Sequence, residues 1–323
     1  MDLPALDSAT KYPSIGTNHQ RNPKGGRLLE QATAVSGEVT RTEKVDGTNA
    51  RIITFPDGDY VIGARDGLLY GRGDLVANQA LGIVNAQRPL ADRITPPTTG
   101  IRVHYLELYG AKIGPSHQYT GTSAVGFRLF DLASFKPTDL DHPIEKIASW
   151  RDRGSQHFYS EARLAEAAML DSIPLTRRLA TITADDLPAG VQGMQGFLLH
   201  HLPTTRVALD KQARGRPECI VLRTADRSVI AKARFADYQR TLAKNATSCP
   251  LSIRPDAALE GDRMYRCTRP AHETAELRQE GCRSSAVSCA LPSAAGVTAA
   301  AGRAATRLAG PRRPFRGSLR GCR

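Results

Sequence analysis

Six short runs rich in Val, Ile, Tyr and Phe, at residues 50–55, 60–64, 101–108, 126–132, 219–223 and 229–234, punctuate the first 245 residues of this 323-residue chain. Turn signals separate them. Pro56-Asp57-Gly58-Asp59, lying between the first two runs, has the form of a hairpin loop. Helical patterns are fewer: residues 74–87, 144–153 and 160–170, the last with Ser160 as N-cap, and a short one within 185–194. A doubly wound parallel sheet would alternate strand and helix regularly, and this chain does not. The pattern predicts an α+β fold in which antiparallel sheets carry helices on their outer faces.

The character of the chain changes near residue 245. From Ala246 to Arg323 there are 13 Arg, no Lys and 6 acidic residues in a setting of Ala, Gly, Ser and Pro. Such a stretch cannot bury enough apolar area to offset the entropy of ordering, so residues 246–323 are expected to be a disordered tail and residues 1–245 the folded domain. The division also bears on charge. Of the net +12, the tail holds +7, which leaves +5 on the folded part and makes overall charge a weak argument for a polyanion partner. Five of the six cysteines lie in the tail without a C-x-x-C pair, and only Cys219 precedes it, so neither a zinc site nor a disulfide framework is expected. No apolar run is long enough to span a membrane, and the N-terminus lacks the order of a secretory signal. These readings point to a cytoplasmic protein, taken as a monomer. The histidines His104, His117, His200 and His201 lack metal-ligand spacing and read as ordinary, partly exposed residues.

The chemistry is concentrated in Thr42-Glu43-Lys44-Val45-Asp46-Gly47-Thr48-Asn49. A lysine followed by x-Asp-Gly between strand-like segments can hold an amine at the mouth of a nucleotide pocket, with the Asp-Gly pair making a turn and Gly47 supplying unusual backbone angles. A bare K-x-D-G should arise by chance in roughly one chain in twenty-five of this length, so alone it decides little. The chain has no G-x-x-x-x-G-K-[ST] phosphate loop, so nucleotide binding would need another scaffold.

The stretch resembles the nucleotidyl-lysine motif of covalent nucleotidyltransferases, and its fuller form, EKVDGTN, resembles the RNA ligase branch that includes phage RNA ligase 2. Further matches follow in that family's order. Arg65 stands where the family has an arginine after the second strand. Tyr105-Leu106-Glu107-Leu108-Tyr109-Gly110 resembles motif III, and Phe127-Arg128-Leu129-Phe130-Asp131-Leu132 resembles motif IIIa. Glu218-Cys219-Ile220-Val221-Leu222-Arg223 resembles motif IV, and Ala231-Lys232-Ala233-Arg234-Phe235 resembles motif V. Lys11-Tyr12-Pro13-Ser14-Ile15 and Arg21-Asn22-Pro23-Lys24 resemble the family's lead-in. The likeness covers about residues 11–242. It departs from the family pattern at Cys219, where glycine is common, and at Arg234, where many members have lysine.

The resemblance implies an adenylation domain and an ATP-dependent RNA ligase acting in RNA repair. Lys44 would take AMP from ATP as a lysyl-AMP phosphoramidate, pass it to a 5′-phosphate, and the 3′-hydroxyl would then displace it. Lys232 and Arg234 would be the catalytic cations, helping Lys44 lose its proton and neutralising phosphate charge. Glu107 would contact the ribose, and Glu218, with Glu107, would support Mg2+ or Mn2+. Phe130 would stack on adenine, although out of context core packing is the favoured reading for it. Glu43 would accept from the adenine amino group. Arg65 and Asn49 would steady ribose, phosphate or the incoming strand, and Asn49 would equally close the turn. ATP-dependent DNA ligation and capping-type transfer are the enzymatic alternatives, disfavoured because the last 80 or so residues cannot build an OB-fold. NAD+-dependent ligation is disfavoured because only 43 residues precede Lys44. A non-catalytic RNA-binding relic of the fold is the alternative from another class.

Overall fold

A computed structural model describes residues 2–77, 82–213 and 215–247. Helix α1 (Leu3–Thr10) leads into β1 (Gly16–Thr17), β2 (His19–Arg21), β3 (Leu28–Ala32), β4 (Glu38–Lys44), β5 (Thr48–Thr54), β6 (Tyr60–Ala64), β7 (Leu68–Gly71) and β8 (Asp74–Leu75). Helix α2 (Ile83–Ala91) precedes the long strands β9 (Ile101–Gly110) and β10 (Val125–Phe135). Then come α3 (Ile144–Asp152), β11 (His157–Phe158), α4 (Glu161–Leu170), β12 (Ile182–Thr183) and α5 (Val191–His201). The described chain closes with β13 (Cys219–Thr224), β14 (Ile230–Arg234) and α6 (Phe235–Thr247).

Two large sheets organise most of these elements, and β2 and β3 pair with each other as a separate antiparallel two-stranded sheet. The larger has the order β11-β10-β9-β5-β6-β7-β8 and is antiparallel throughout. The smaller has the order β1-β14-β13-β4-β12 and is antiparallel except where β1 joins β14 in parallel. Because side chains alternate along a strand, each face has its own company. On the larger sheet, Ile52, Leu106, Leu129 and Leu132 pack against α2 and α4, while Ile53, Val103, Tyr105 and Phe135 pack against α1 and α3. The back of the smaller sheet, including Val39, Ile220, Leu222 and Ala233, is covered by Val191, Met194 and Leu198 of α5 and Tyr238 of α6. Its front carries polar residues and opens onto a cleft. This is the expected α+β arrangement of antiparallel sheets with flanking helices.

All six strand expectations correspond to strands, from β5 and β6 to β14. In the Pro56–Asp59 loop, Gly58 adopts φ 87° and Asp57 accepts from the Asp59 amide at 3.0 Å. Helices are less well matched. The helix expected over 74–87 gives way at its start to β8, which pairs with β7, and α2 begins only at Ile83; residues 78–81 lie outside the described ones. The short helix expected within 185–194 lies later, as α5. Helix α4 does start after Ser160, whose hydroxyl accepts from the Arg163 amide. His104, expected to be partly exposed, is fully buried on β9. Of the disordered tail expected over residues 246–323, residues 246 and 247 instead end helix α6, and the rest lies outside the described residues.

Candidate active site

Three segments cross from one sheet to the other, and the cleft lies among them. Residues 12–15 run from α1 to β1. Val45-Asp46-Gly47 join β4 of the smaller sheet to β5 of the larger. Residues 174–179 pair with both: Leu129 of β10 donates to Pro174 and accepts from Thr176, while Glu43 of β4 donates to Arg177 and Arg41 accepts from Leu179. The cleft between them has a volume of about 370 Å3, and its lining includes all nine site residues singled out from the sequence. A larger depression of about 650 Å3 on the β5–β6 side gathers carboxylates around a single arginine, Arg72, and has no comparable set of converging opposite charges.

Strand register explains the convergence. On the smaller sheet, Cys219 stands opposite both Lys44 and Arg234, and Val221 opposite both Thr42 and Lys232. Lys44, Lys232 and Arg234 therefore share the front face. On the larger sheet, Asn49 and Arg128 flank Glu107 across neighbouring strands. The alternate residues Ile101, Val103 and Tyr105 on β9 are core, and the next, Glu107, brings a carboxylate to the cleft. Phe130 sits at a β-bulge of β10, between Leu129 and Asp131, a distortion that re-aims a side chain. Arg65 is exposed at the rim, just past β6.

At the centre, the Lys44 ammonium donates to Glu218 at 2.6 Å and to the Val45 carbonyl at 3.2 Å. The second oxygen of Glu218 takes Arg234 at 2.9 Å. Burial disfavours the Lys44 cation, but Glu107 and Glu218 outweigh it and its pKa is raised. Burial and the two carboxylates, rather than Lys232 and Arg234, are the leading influences on the Lys44 amine. Lys232 itself is lowered, by burial and by Arg234, and among the described residues it has no ion-pair partner. Burial pushes Glu107 up to about 7 against the pull of Lys44 and the Gly47 amide.

Glu43 is the one residue whose side chain does not join this group. It is fully buried, and alternation along β4 turns it to the face opposite Lys44. There its carboxylate accepts from Thr205 Oγ1 at 2.5 Å and from the Arg206 amide at 2.8 Å. Gly47 also differs from expectation. Its φ is not in the left-handed region; instead a Cβ there would lie 2.1 Å from the Leu108 carbonyl oxygen, so close approach of the crossover to β9 is what demands glycine. Other lining residues had no assigned role in catalysis or binding, among them Tyr12, Asp46, Thr176 and Arg223. Asp46 and Tyr12 stood within the recognised motifs, Asp46 read only as a turn former. Burial and Glu218 raise the Asp46 carboxyl.

Oxygen donors suit a hard divalent cation. Among the described residues no group of three or more His, Cys, Asp or Glu side chains is arranged to hold a metal. Glu218 and Glu107 fit an ion that keeps several waters and shares phosphate oxygens, as magnesium does, rather than one caged by protein. No described helix is long and apolar enough to cross a membrane.

Among solved structures, a point mutant of the Naegleria gruberi RNA ligase with ATP and Mn shares 12% identity, covering 72% of this chain and 62% of that one at a TM-score of 0.43. The same ligase with PPi gives 12%, 72%, 64% and 0.42. This chain therefore spans less than two thirds of the length of those relatives. No curated protein matches it. The RNA ligase family model, by contrast, matches residues 37–244, more than half of the chain and the whole of the cleft beyond residues 12–15. On that match, the chain belongs to the RNA ligase family.

Proposed function

We propose that this protein is an ATP-dependent RNA ligase that works through a lysyl-AMP intermediate, with the chemistry carried by residues 1–245 and a cytoplasmic setting. The observation that carries the reading is Lys44 at the junction of the two sheets, paired with Glu218, beside Glu107, with Lys232 and Arg234 on the same face.

The Lys44 amine attacks the α-phosphorus of ATP; the N–P bond forms as the bond to pyrophosphate breaks, and the ammonium proton must leave beforehand. Glu218 has to exchange Lys44 for another partner before that can happen. Lys232 and Arg234 offset the charge of the phosphates and of the departing pyrophosphate. A 5′-phosphate oxygen then attacks the AMP phosphorus and breaks its N–P bond to Lys44, and a 3′-hydroxyl finally attacks the phosphorus of that 5′-phosphate, forming the phosphodiester as AMP leaves. Glu218 and Glu107 are the residues that would hold Mg2+ or Mn2+, which when bound neutralises and orients phosphate oxygens. Phe130 forms a wall for the adenine, and Arg65 and Asn49 stand where ribose, phosphate or the strand would pass. Glu43, the acceptor that the family resemblance assigns to the adenine amino group, already holds Thr205 and the Arg206 amide through its carboxylate. The Naegleria ligase complexes with ATP, AMP and Mn agree with these cofactors.

The test is to incubate the protein with α-labelled ATP and a divalent cation and look for label that survives denaturation. Label is expected on the wild type and absent from Lys44→Ala; an unlabelled wild type, or a labelled variant, ends the proposal. Sealing of matched RNA and DNA nicks identifies the polymer, with RNA expected to be preferred.

A further inference from the structure

One buried carboxylate lies beside the cleft and belongs to none of the steps above. Asp131 is fully buried on β10, immediately after the bulged Phe130. It accepts from Tyr12 Oη at 2.8 Å and from Arg227, whose Nε lies at 3.1 Å and whose Nη2 is closer still. Arg223 stands 3.9 Å away. Arg227 comes from the opposite sheet, out of the turn between β13 and β14, closed by hydrogen bonds from Arg227 to Thr224 and from Thr224 to Val229. It adopts φ 62°, a conformation that glycine takes without strain and an arginine does not. The Arg227 side chain is nonetheless largely enclosed, 12% exposed, and a strained backbone kept with an enclosed side chain argues that the side chain is needed.

The reach of that side chain says for what. Its guanidinium lies 3.5 Å from the centre of the Phe158 ring and donates to Tyr12 Oη at 2.9 Å. The Tyr12 ring then stands edge-on to Phe130, with centroids 4.9 Å apart and planes at 88°. Arg227, Asp131 and Tyr12 thus form a brace from the β13–β14 turn to the ring of Phe130. We infer that Arg227 is a positioning residue for recognition of the nucleotide base: it locks Asp131 and Tyr12 so that Phe130 presents a fixed face to the cleft. The inference rests on the ligase reading, in which Phe130 is the aromatic that meets adenine.

A brace for the base and a mere fastener between sheets differ in what they do to the two ends of ATP. Arg227→Gly keeps a turn that glycine favours, and its fold is checked by a cooperative thermal transition. Calorimetry of each variant with ATP and with inorganic triphosphate then separates base from phosphate recognition. Arg227→Gly is expected to weaken ATP about tenfold, on the scale of one base–aromatic stacking contact, while leaving inorganic triphosphate within about twofold. Arg227→Lys keeps a charge but loses the planar fork and stacking, so it should fall between wild type and the glycine variant; it serves as the test if Arg227→Gly does not fold. Phe130→Leu should weaken ATP similarly, and the double variant should be no weaker than either single one. Unchanged ATP affinity, equal loss for ATP and triphosphate, or additive effects would each overturn the inference. Labelling of wild-type Lys44 is read separately, so a failed ligase reading is not confused with a failed brace.

Discussion

At Lys44 the competing influences can be ranked. Burial favours the neutral amine, Glu107 and Glu218 favour the ammonium, and the carboxylates prevail. Removing a carboxylate that favours the cation must lower the pKa. Glu218→Gln is therefore expected to shift Lys44 titration downward by about one unit or more, read without any metal or nucleotide from the pH dependence of its reaction with an amine-directed reagent. An unchanged or raised midpoint would show that Glu218 does not hold the cation. Gly47 supports a second prediction. The Leu108 carbonyl that a Cβ would meet is backbone within a sheet and cannot swing aside. Gly47→Ala should cost about 1–3 kcal/mol in denaturant unfolding and displace the Lys44 loop, with a large loss of AMP labelling. The motif, its lysine and its glycine were legible in the sequence. The reason for the glycine was not, because close approach between segments sixty residues apart leaves no local mark.

Strand β4 shows what the sequence conceals at the level of elements. Glu38-Val-Thr-Arg-Thr-Glu-Lys44 has one apolar residue, so no period-two hydropathy betrays a strand whose inner face is Val39, Arg41 and Glu43. Those charges are tolerated because each has partners: Arg41 donates to the Ala180 carbonyl at 2.8 Å and lies over Phe197, and Glu43 takes Thr205 and the Arg206 amide. Glu43 is consequently a fastener between β4 and the segment after α5. Glu43→Ala removes two part-buried hydrogen bonds, from Thr205 and the Arg206 amide, and should cost about 1 kcal/mol of stability. A melting temperature equal to wild type, together with weakened ATP binding, would return Glu43 to the nucleotide site. Strands β5, β6, β9, β10, β13 and β14 were readable because their apolar residues do follow the fold.

For the molecule as a whole, the two sheets could be anticipated, but not which strand belongs to which. Pairing of β4 with β13, about 180 residues away, is a tertiary outcome that adjacent-sequence patterns do not contain. Long-range pairing in the larger sheet, where β9 lies between β5 and β10, likewise accompanies the burial of His104. Its ring, on β9, faces Asp171 at the C-terminal end of α4, with 3.6 Å between Nε2 and the carboxylate, too long for a good hydrogen bond; Arg102 adds a positive charge nearby. Burial depresses the His104 pKa despite the carboxylate, and Asp171 is lowered too, because His104 and the Thr95 amide overcome its own burial. The sign follows directly. As pH falls through about 6.5, the unfolded chain protonates this histidine while the folded chain refuses the proton, so stability declines; Asp171 adds a loss of the same sign once pH drops below about 4. Between pH 7 and 5.5 the wild type should therefore lose about 1 kcal/mol that His104→Gln does not lose, measured as the pH slope of unfolding free energy in urea. If both proteins show the same slope over that interval, the histidine is protonated in the fold, and the link between α4 and the centre of the larger sheet is an ion pair rather than a neutral ring beside a carboxylate.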